Sequence, residues 1–220
     1  LLVRYEIQKK GNCYILVITD YFSKWPEAFA LKEASSKEVA RILVTKVFPR
    51  HGLPKKILSD QGSQFTSHFL NELFEEMKIN KMQTTAYHPQ CDGQVERLNS
   101  VLKNQVTIFC DQRQSDWDEW LPLVLLSYRR TKHAVTGYSP YYMLHGREPS
   151  VAMDTLISTK MKETVSNHQY INDLMSALKT VHAAAIVATQ RVKEEQQRQY
   201  CNDLRSGIEI PLRIVVPVVR

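Results

Sequence analysis

An α/β domain followed by a long helix is what this sequence predicts, and three observations carry the prediction. Short, β-branched apolar runs come early. Segments with helical spacing alternate with strands later. Beyond Pro149 the composition shifts to Ala, Gln, Lys and Glu. The expected division is a sheet-bearing core over residues 1–150 and, over residues 151–220, a helical linker leading to the start of a further module.

Cys13-Tyr14-Ile15-Leu16-Val17-Ile18-Thr19 reads as a central strand, and after Trp25-Pro26 the run from Glu27 to Leu31 reads as the next. Ser35 with Glu38 makes a capping box for a helix carrying Val39, Ile42, Leu43 and Val47, which Pro49 and Gly52 are expected to stop. Lys56 to Ser59 is a brief strand. Thr66 is expected to cap a helix that buries Phe69, Leu70, Leu73, Phe74 and Met77, and Ile79 to Thr84 reads as another strand. After a loop around Gly93, a helix presents Val95, Leu98, Leu102, Val106 and Phe109 on one face. Ser115 caps the next, whose first turn holds Asp116, Asp118 and Glu119, the sign the helix dipole favours. Trp117, Trp120, Leu121, Val124, Leu125 and Tyr128 form its apolar face. Helical spacing makes Trp117 and Trp120, and with them Trp25, core residues rather than platforms for stacked bases. Ile171, Leu174, Leu178, Val181, Ala185, Ala188 and Val192 step by threes and fours, a heptad stripe that predicts one long helix packed on a partner helix.

Composition narrows the function. The 43% apolar content suffices for a core, and no run of about 18 apolar residues predicts a membrane span. No signal peptide opens the chain, and its first residue, Leu1, is read as that of a fragment or excised domain. Cys13, Cys91, Cys110 and Cys201 are too scattered for a zinc pair and suit a reducing compartment. A net charge of +6 fits a polyanionic partner such as nucleic acid, although proteins without one also carry such charges.

Two carboxylates stand out. Asp60 ends a predicted strand before Gln61-Gly62, and Glu96 opens the helix after Gly93, with residues 61–95 between them. Hard cations such as Mg²⁺ take oxygen ligands, and two such ions can clamp an in-line phosphoryl displacement. An Asp before a glycine is also an ordinary turn residue, and a Glu in a first turn is an ordinary dipole partner.

A series of strings resembles the integrase cores of gypsy-type long-terminal-repeat retrotransposons and retroviruses. They are Gly11-Asn12-Cys13-Tyr14-Ile15-Leu16-Val17, Asp20-Tyr21-Phe22-Ser23-Lys24-Trp25-Pro26-Glu27-Ala28, His51-Gly52-Leu53-Pro54 and Ser59-Asp60-Gln61-Gly62-Ser63-Gln64-Phe65. Thr84-Thr85-Ala86-Tyr87-His88-Pro89-Gln90 and Asp92-Gly93-Gln94-Val95-Glu96-Arg97-Leu98-Asn99 come after them, then Gly137-Tyr138-Ser139-Pro140 and Gly146-Arg147-Glu148-Pro149. The resemblance implies an RNase H-like, mixed five-stranded sheet flanked by helices. It implies DNA integration by a polynucleotidyl transferase, with end processing and strand transfer supported by Mg²⁺ or Mn²⁺. Asp60 and Glu96 match two of the family's three catalytic, metal-holding carboxylates. His88, Gln90, Asn99 and Lys103 match positions near the site and on the nucleic acid. DNA as partner, a homo-oligomer and a nuclear location are further implications; zinc and a membrane are not.

Departures qualify the resemblance. Cys91 replaces a usual Thr, the family's zinc module is not among these residues, and Gln197 to Arg220 resembles the approach to a downstream module. The family's first catalytic Asp lies on the strand before Gly11, and its spacing puts that Asp just ahead of Leu1. Asp20 ends the second strand and is rejected for the role, and Glu6 falls too far along. The chain alone is therefore expected to be catalytically incomplete. The alternatives are a domesticated, inactive nucleic-acid-binding module of the same ancestry and an oligomerisation or chromatin-partner protein.

Overall fold

The apolar run after Cys13 becomes the middle strand of a three-stranded sheet. Strands β1 (Leu2–Arg4), β2 (Tyr14–Thr19) and β3 (Pro26–Leu31) lie in that order in a computed structural model that describes residues 2–4, 11–83, 99–106, 108, 116–150 and 166–205. β1 runs antiparallel to β2, with Leu2 opposite Leu16 and Arg4 opposite Tyr14. Ile15, Leu16 and Val17 are all buried, so this strand is covered on both faces, as a continuous apolar run requires. The Cys13 N–H donates to Leu31 O at 2.9 Å where β2 begins and β3 ends.

Ser35 caps α1 (Ser36–Ile42) as expected, its hydroxyl accepting from the Glu38 N–H at 3.3 Å. The reciprocal half of the capping box is not made, because the Glu38 carboxylate pairs with Arg41 at its surface. Pro49 does not stop the helix. A π-helical turn, Leu43–Val47, shifts the backbone register upstream, so Pro49 enters the first turn of α2 (Phe48–His51), where its missing N–H costs nothing. Gly52 provides the stop, at φ 77°.

β4 (Lys56–Ser59) and β5 (Asn80–Gln83) pair in parallel, joined through α3 (Ser63–Thr66) and α4 (His68–Glu76). Ser67, not Thr66, caps α4: Ser67 has the extended backbone of a cap and accepts from the Leu70 N–H at 3.4 Å, while Thr66 closes α3. Leu70 and Phe74 are buried as expected, but Phe69 is exposed, because it lies about 100° around the helix from Leu70, at the edge of the packed stripe. The core joins Leu16 and Leu31 to Val39, Leu43, Phe48, Phe65, Leu70, Phe74 and Ile79.

The five strands form two sheets among the described residues, of three and two strands, rather than the one five-stranded sheet expected.

Residues 99–106 are helical (α5), with Leu102 and Val106 buried; Val95, Leu98, Phe109 and the expected cap Ser115 lie outside the described residues. In α6 (Trp117–Arg130) the acidic first turn and the buried Trp117, Leu121, Val124 and Leu125 are as read from the sequence. Trp120 is half-buried and donates its indole N–H to Asp116 at 2.8 Å.

The chain divides into two compact units. The first holds Leu1–Ile18 and Glu27–Val124, and the second holds Thr19–Pro26 and the described residues from Leu125 on. In the second, α7 (Pro140–His145) is capped by Ser139 and ended by Gly146 in a left-handed conformation. The long helix is present as α8 (Asn167–Arg205). Its partner is the chain's own α7: Met143, Val181 and Ala185 make the contact, and the His182 ring N–H donates to Met143 O at 2.8 Å. The start of the predicted stripe, Ile171, is exposed, because α7 is too short to cover it. No helix of the described residues is long and apolar enough to cross a membrane.

Candidate functional site

Asp60 leaves the C-terminal end of β4, where β4 runs parallel to β5 with Ser59 opposite Gln83. That end of a parallel pair opens onto the crevice that α/β folds use for ligands. The carboxylate is half-buried, and its Oδ1 accepts from the Gly62 N–H at 3.0 Å. This Asx turn sets the carboxylate's direction; its second oxygen is engaged by no described residue. Gly62 needs no unusual φ, at −56°. It needs room: a Cβ there would lie 2.3 Å from Gln64 Nε2 and 3.0 Å from Asp60 Oδ1.

The turn feeds directly into α3. Gly62 O accepts from the N–H groups of Phe65 and Thr66, at 2.8 and 3.1 Å, and the Phe65 ring is buried in the core. Lys81 in β5 closes the other side, donating to Phe65 O and to Asn71 Oδ1. Burial lowers the pKa of its ammonium below the usual lysine range. Ser59, next to Asp60, is buried, and its hydroxyl has no hydrogen-bond partner among the described residues.

A second polar feature comes from α5. Asn99 shares the spacing of the buried stripe with Leu102 and Val106, and both its amide atoms are buried without a hydrogen-bond partner among the described residues. Leaving a buried amide unpaired costs about 1–3 kcal/mol, so such a group calls for an explanation by ligand or function. Lys103, one turn further, is exposed. Glu96, His88 and Gln90 lie outside the described residues, as does Cys91. Of the expected site residues, the structure therefore places Asp60, Asn99 and Lys103, all in the first unit. Among the described residues no group of three His, Cys, Asp or Glu stands ready to hold a metal.

Asp20 has a different fate. Its Oδ2 accepts from both the Ser23 N–H at 2.7 Å and the Ser23 hydroxyl at 2.6 Å, within a turn closed by Asp20 N–H to Trp25 O at 2.9 Å. Lys24 comes next at φ 62°, its ammonium donating to Tyr21 O and lying 4.3 Å from the Tyr21 ring centre. Both bonds fall on one oxygen and tie it to the turn, in a carboxylate that is otherwise exposed.

Sequence reasoning passed over Lys81 and Asn71. A lysine in a short strand reads as a solvated face, and only the packing of β5 against the α3–α4 corner reveals its acceptors. The unpaired hydroxyl of Ser59 was equally invisible.

A sequence model of the family described as integrase core domain matches residues 2–89. The Gag-Pol polyprotein of feline leukemia virus is 34% identical over 204 residues, covering 92% of this chain, and that of walleye dermal sarcoma virus is 36% identical over 80% of it. The chain spans 11% and 10% of those two polyproteins. Among solved structures, the catalytic core of BIV integrase aligns with TM-score 0.51 and 24% identity, over 64% of this chain and 88% of that one. The HTLV-2 integrase catalytic core, solved with magnesium, gives 0.51 at 21% identity over the same shares. A simian T-cell lymphotropic virus intasome chain gives 0.56 at 22%, over 74% of this chain and 57% of that one. At these identities the likeness is one of fold.

Proposed function

Because this chain belongs to the integrase core family, we propose that it is the polynucleotidyl transferase core of a retroelement integrase, and that residues 1–220 alone are catalytically incomplete. The observation that carries the reading is the Asp60 corner: a carboxylate at the open end of a parallel strand pair, aimed by one backbone N–H, with a second oxygen left over. In this reading the two sheets are parts of one RNase H-like, five-stranded sheet.

Asp60 and Glu96 would hold Mg²⁺ or Mn²⁺, and their hard carboxylate oxygens suit either ion. When bound, such ions supply an activated nucleophile and stabilise charge on the attacking and leaving oxygens. The chain's own residues bind and orient. The Gly62 N–H fixes Asp60. The buried Asn99 amide offers a donor and an acceptor to a nucleotide or to the carboxylate one turn before it. Lys103 is a point charge for phosphate, and His88 and Gln90 contact the nucleic acid from their loop. The net charge of +6 supports DNA as the partner. We extend the proposal to a homo-oligomer acting in the nucleus.

A second reading is a catalytically silent DNA-binding module of the same ancestry, in which Asp20 serves its turn with Ser23. Oligonucleotide strand transfer separates the two. Residues 1–220 should bind DNA with a steep salt dependence and join none. Adding an Asp ahead of Leu1 should give metal-dependent joining that Asp60→Asn or Glu96→Gln removes. Joining by residues 1–220 themselves, abolished by Asp20→Asn, contradicts the assignment. Binding without joining in the extended chain supports the second reading.

A further inference from the structure

We propose that Lys81, with Asn71, is a positioning residue for the Asp60 carboxylate, an inference that rests on Asp60 being a metal ligand. A run of consecutive hydrogen bonds links them. The Lys81 ammonium donates to Phe65 O; the Phe65 N–H donates to Gly62 O at 2.8 Å; the Gly62 N–H donates to Asp60 Oδ1 at 3.0 Å. The same ammonium donates to Asn71 Oδ1 at 2.6 Å, which ties α4 into the set.

The chemistry explains why a lysine belongs there. α3 is one turn long and ends at Ser67, whose backbone is extended, so its last carbonyls have no helical partners. A cation at a helix's carbonyl end satisfies them and matches the sign of the dipole. The ammonium is drawn from water to do this, and two oxygen acceptors offset the cost. Phe65 anchors the turn from its other side through the core. One backbone N–H aims the carboxylate, so the aim is only as firm as the turn that carries that N–H. Hydrogen-bond partners of a metal ligand govern affinity in this indirect way.

The test uses the full chain and Mn²⁺ alone, read by water-proton relaxation, alongside amide exchange at Gly62 and thermal unfolding. Lys81→Met should weaken Mn²⁺ binding about tenfold, the scale typical of a ligand's supporting partners, and should speed Gly62 exchange. Lys81→Arg should restore both, since a guanidinium offers separate N–H groups to the two acceptors. Asn71→Ala, which keeps the bond to Phe65, should shift both the same way by less, and it serves if Lys81→Met does not fold. A drop in stability with Mn²⁺ affinity and Gly62 exchange unchanged would mean a structural brace only and overturns the inference. Asp60→Asn is the reference. If it weakens Mn²⁺ binding and Lys81→Met does not, this inference alone fails. If it has no effect, the metal reading of Asp60 fails and takes this inference with it.

Discussion

Two turns in this molecule start alike and end differently. Asp20 comes after β2 and Asp60 after β4, and each has a serine three residues on, Ser23 and Ser63. At the first turn Lys24 enters the left-handed region at φ 62°, the chain doubles back, and Ser23 lays both its N–H and its hydroxyl on the Asp20 carboxylate. At the second, Gly62 leads into α3, Ser63 is drawn into the helix, and Asp60 keeps a single bond, to Gly62. A strand-end aspartate is thus not a site by position alone. The next three residues decide how firmly the turn holds one carboxylate oxygen, by two donors at Asp20 and by one at Asp60.

The largest effect should separate the two aspartates directly. In a chain competent for strand transfer, Asp60→Asn should cost at least about 10³-fold in rate, the scale of losing a preorganised charge-stabilising group, whereas Asp20→Asn should act on stability alone. Equal loss from both would erase the distinction. Gly62→Ala comes next. Its Cβ displaces the Gln64 side chain and crowds Asp60 Oδ1, so Mn²⁺ affinity should fall about tenfold with little change in unfolding temperature. An unchanged affinity would mean that the close approach at Gly62 does not aim the carboxylate.

Ser23→Ala tests the other turn. It removes a buried hydroxyl bonded to a carboxylate, so chemical denaturation should show a loss of about 1–3 kcal/mol with Mn²⁺ binding intact. The smallest expected effect is a pH slope from Lys24, whose pKa is pushed down to about 8 by burial, against the pull of Asp20 and with a push from Lys193. Between that value and the ordinary lysine range the unfolded chain binds the extra proton, so stability rises with pH across that window. Denaturation at pH 7.5 and 9.5 should show wild type gaining on Lys24→Met. A flat difference would place the ammonium in water.

Much of the fold was legible, for identifiable reasons. β2, β3 and β4 appear within a residue or so of their sequence bounds, β2 because its continuous apolar run leaves few alternatives. The heptad stripe announced α8, but not that α7 would cover Val181 and Ala185, since a stripe states that a helix packs without saying on what. Ser67 displaced Thr66 as a cap because two adjacent hydroxyls compete and only backbone geometry chooses between them. The π turn over Leu43–Val47 has no sequence signature, and it is what let Pro49 pass. At the site, Asp60 was readable from its glycine turn. The Lys81 brace was not, because it joins residues 65, 71 and 81 only after β5 has docked beside β4. The unpaired state of Asn99 is likewise a property of packing, not of spacing.

Paramagnetic broadening by Mn²⁺ puts the central claim to its most direct test. With the full chain isotope-labelled, sub-stoichiometric Mn²⁺ should broaden the backbone amides of residues 60–62 and of Glu96 and leave those of residues 20–23 sharp, and Glu96→Gln should weaken the broadening at residues 60–62. Broadening centred on Asp20 and Ser23, or spread evenly over the acidic surface, would contradict the account.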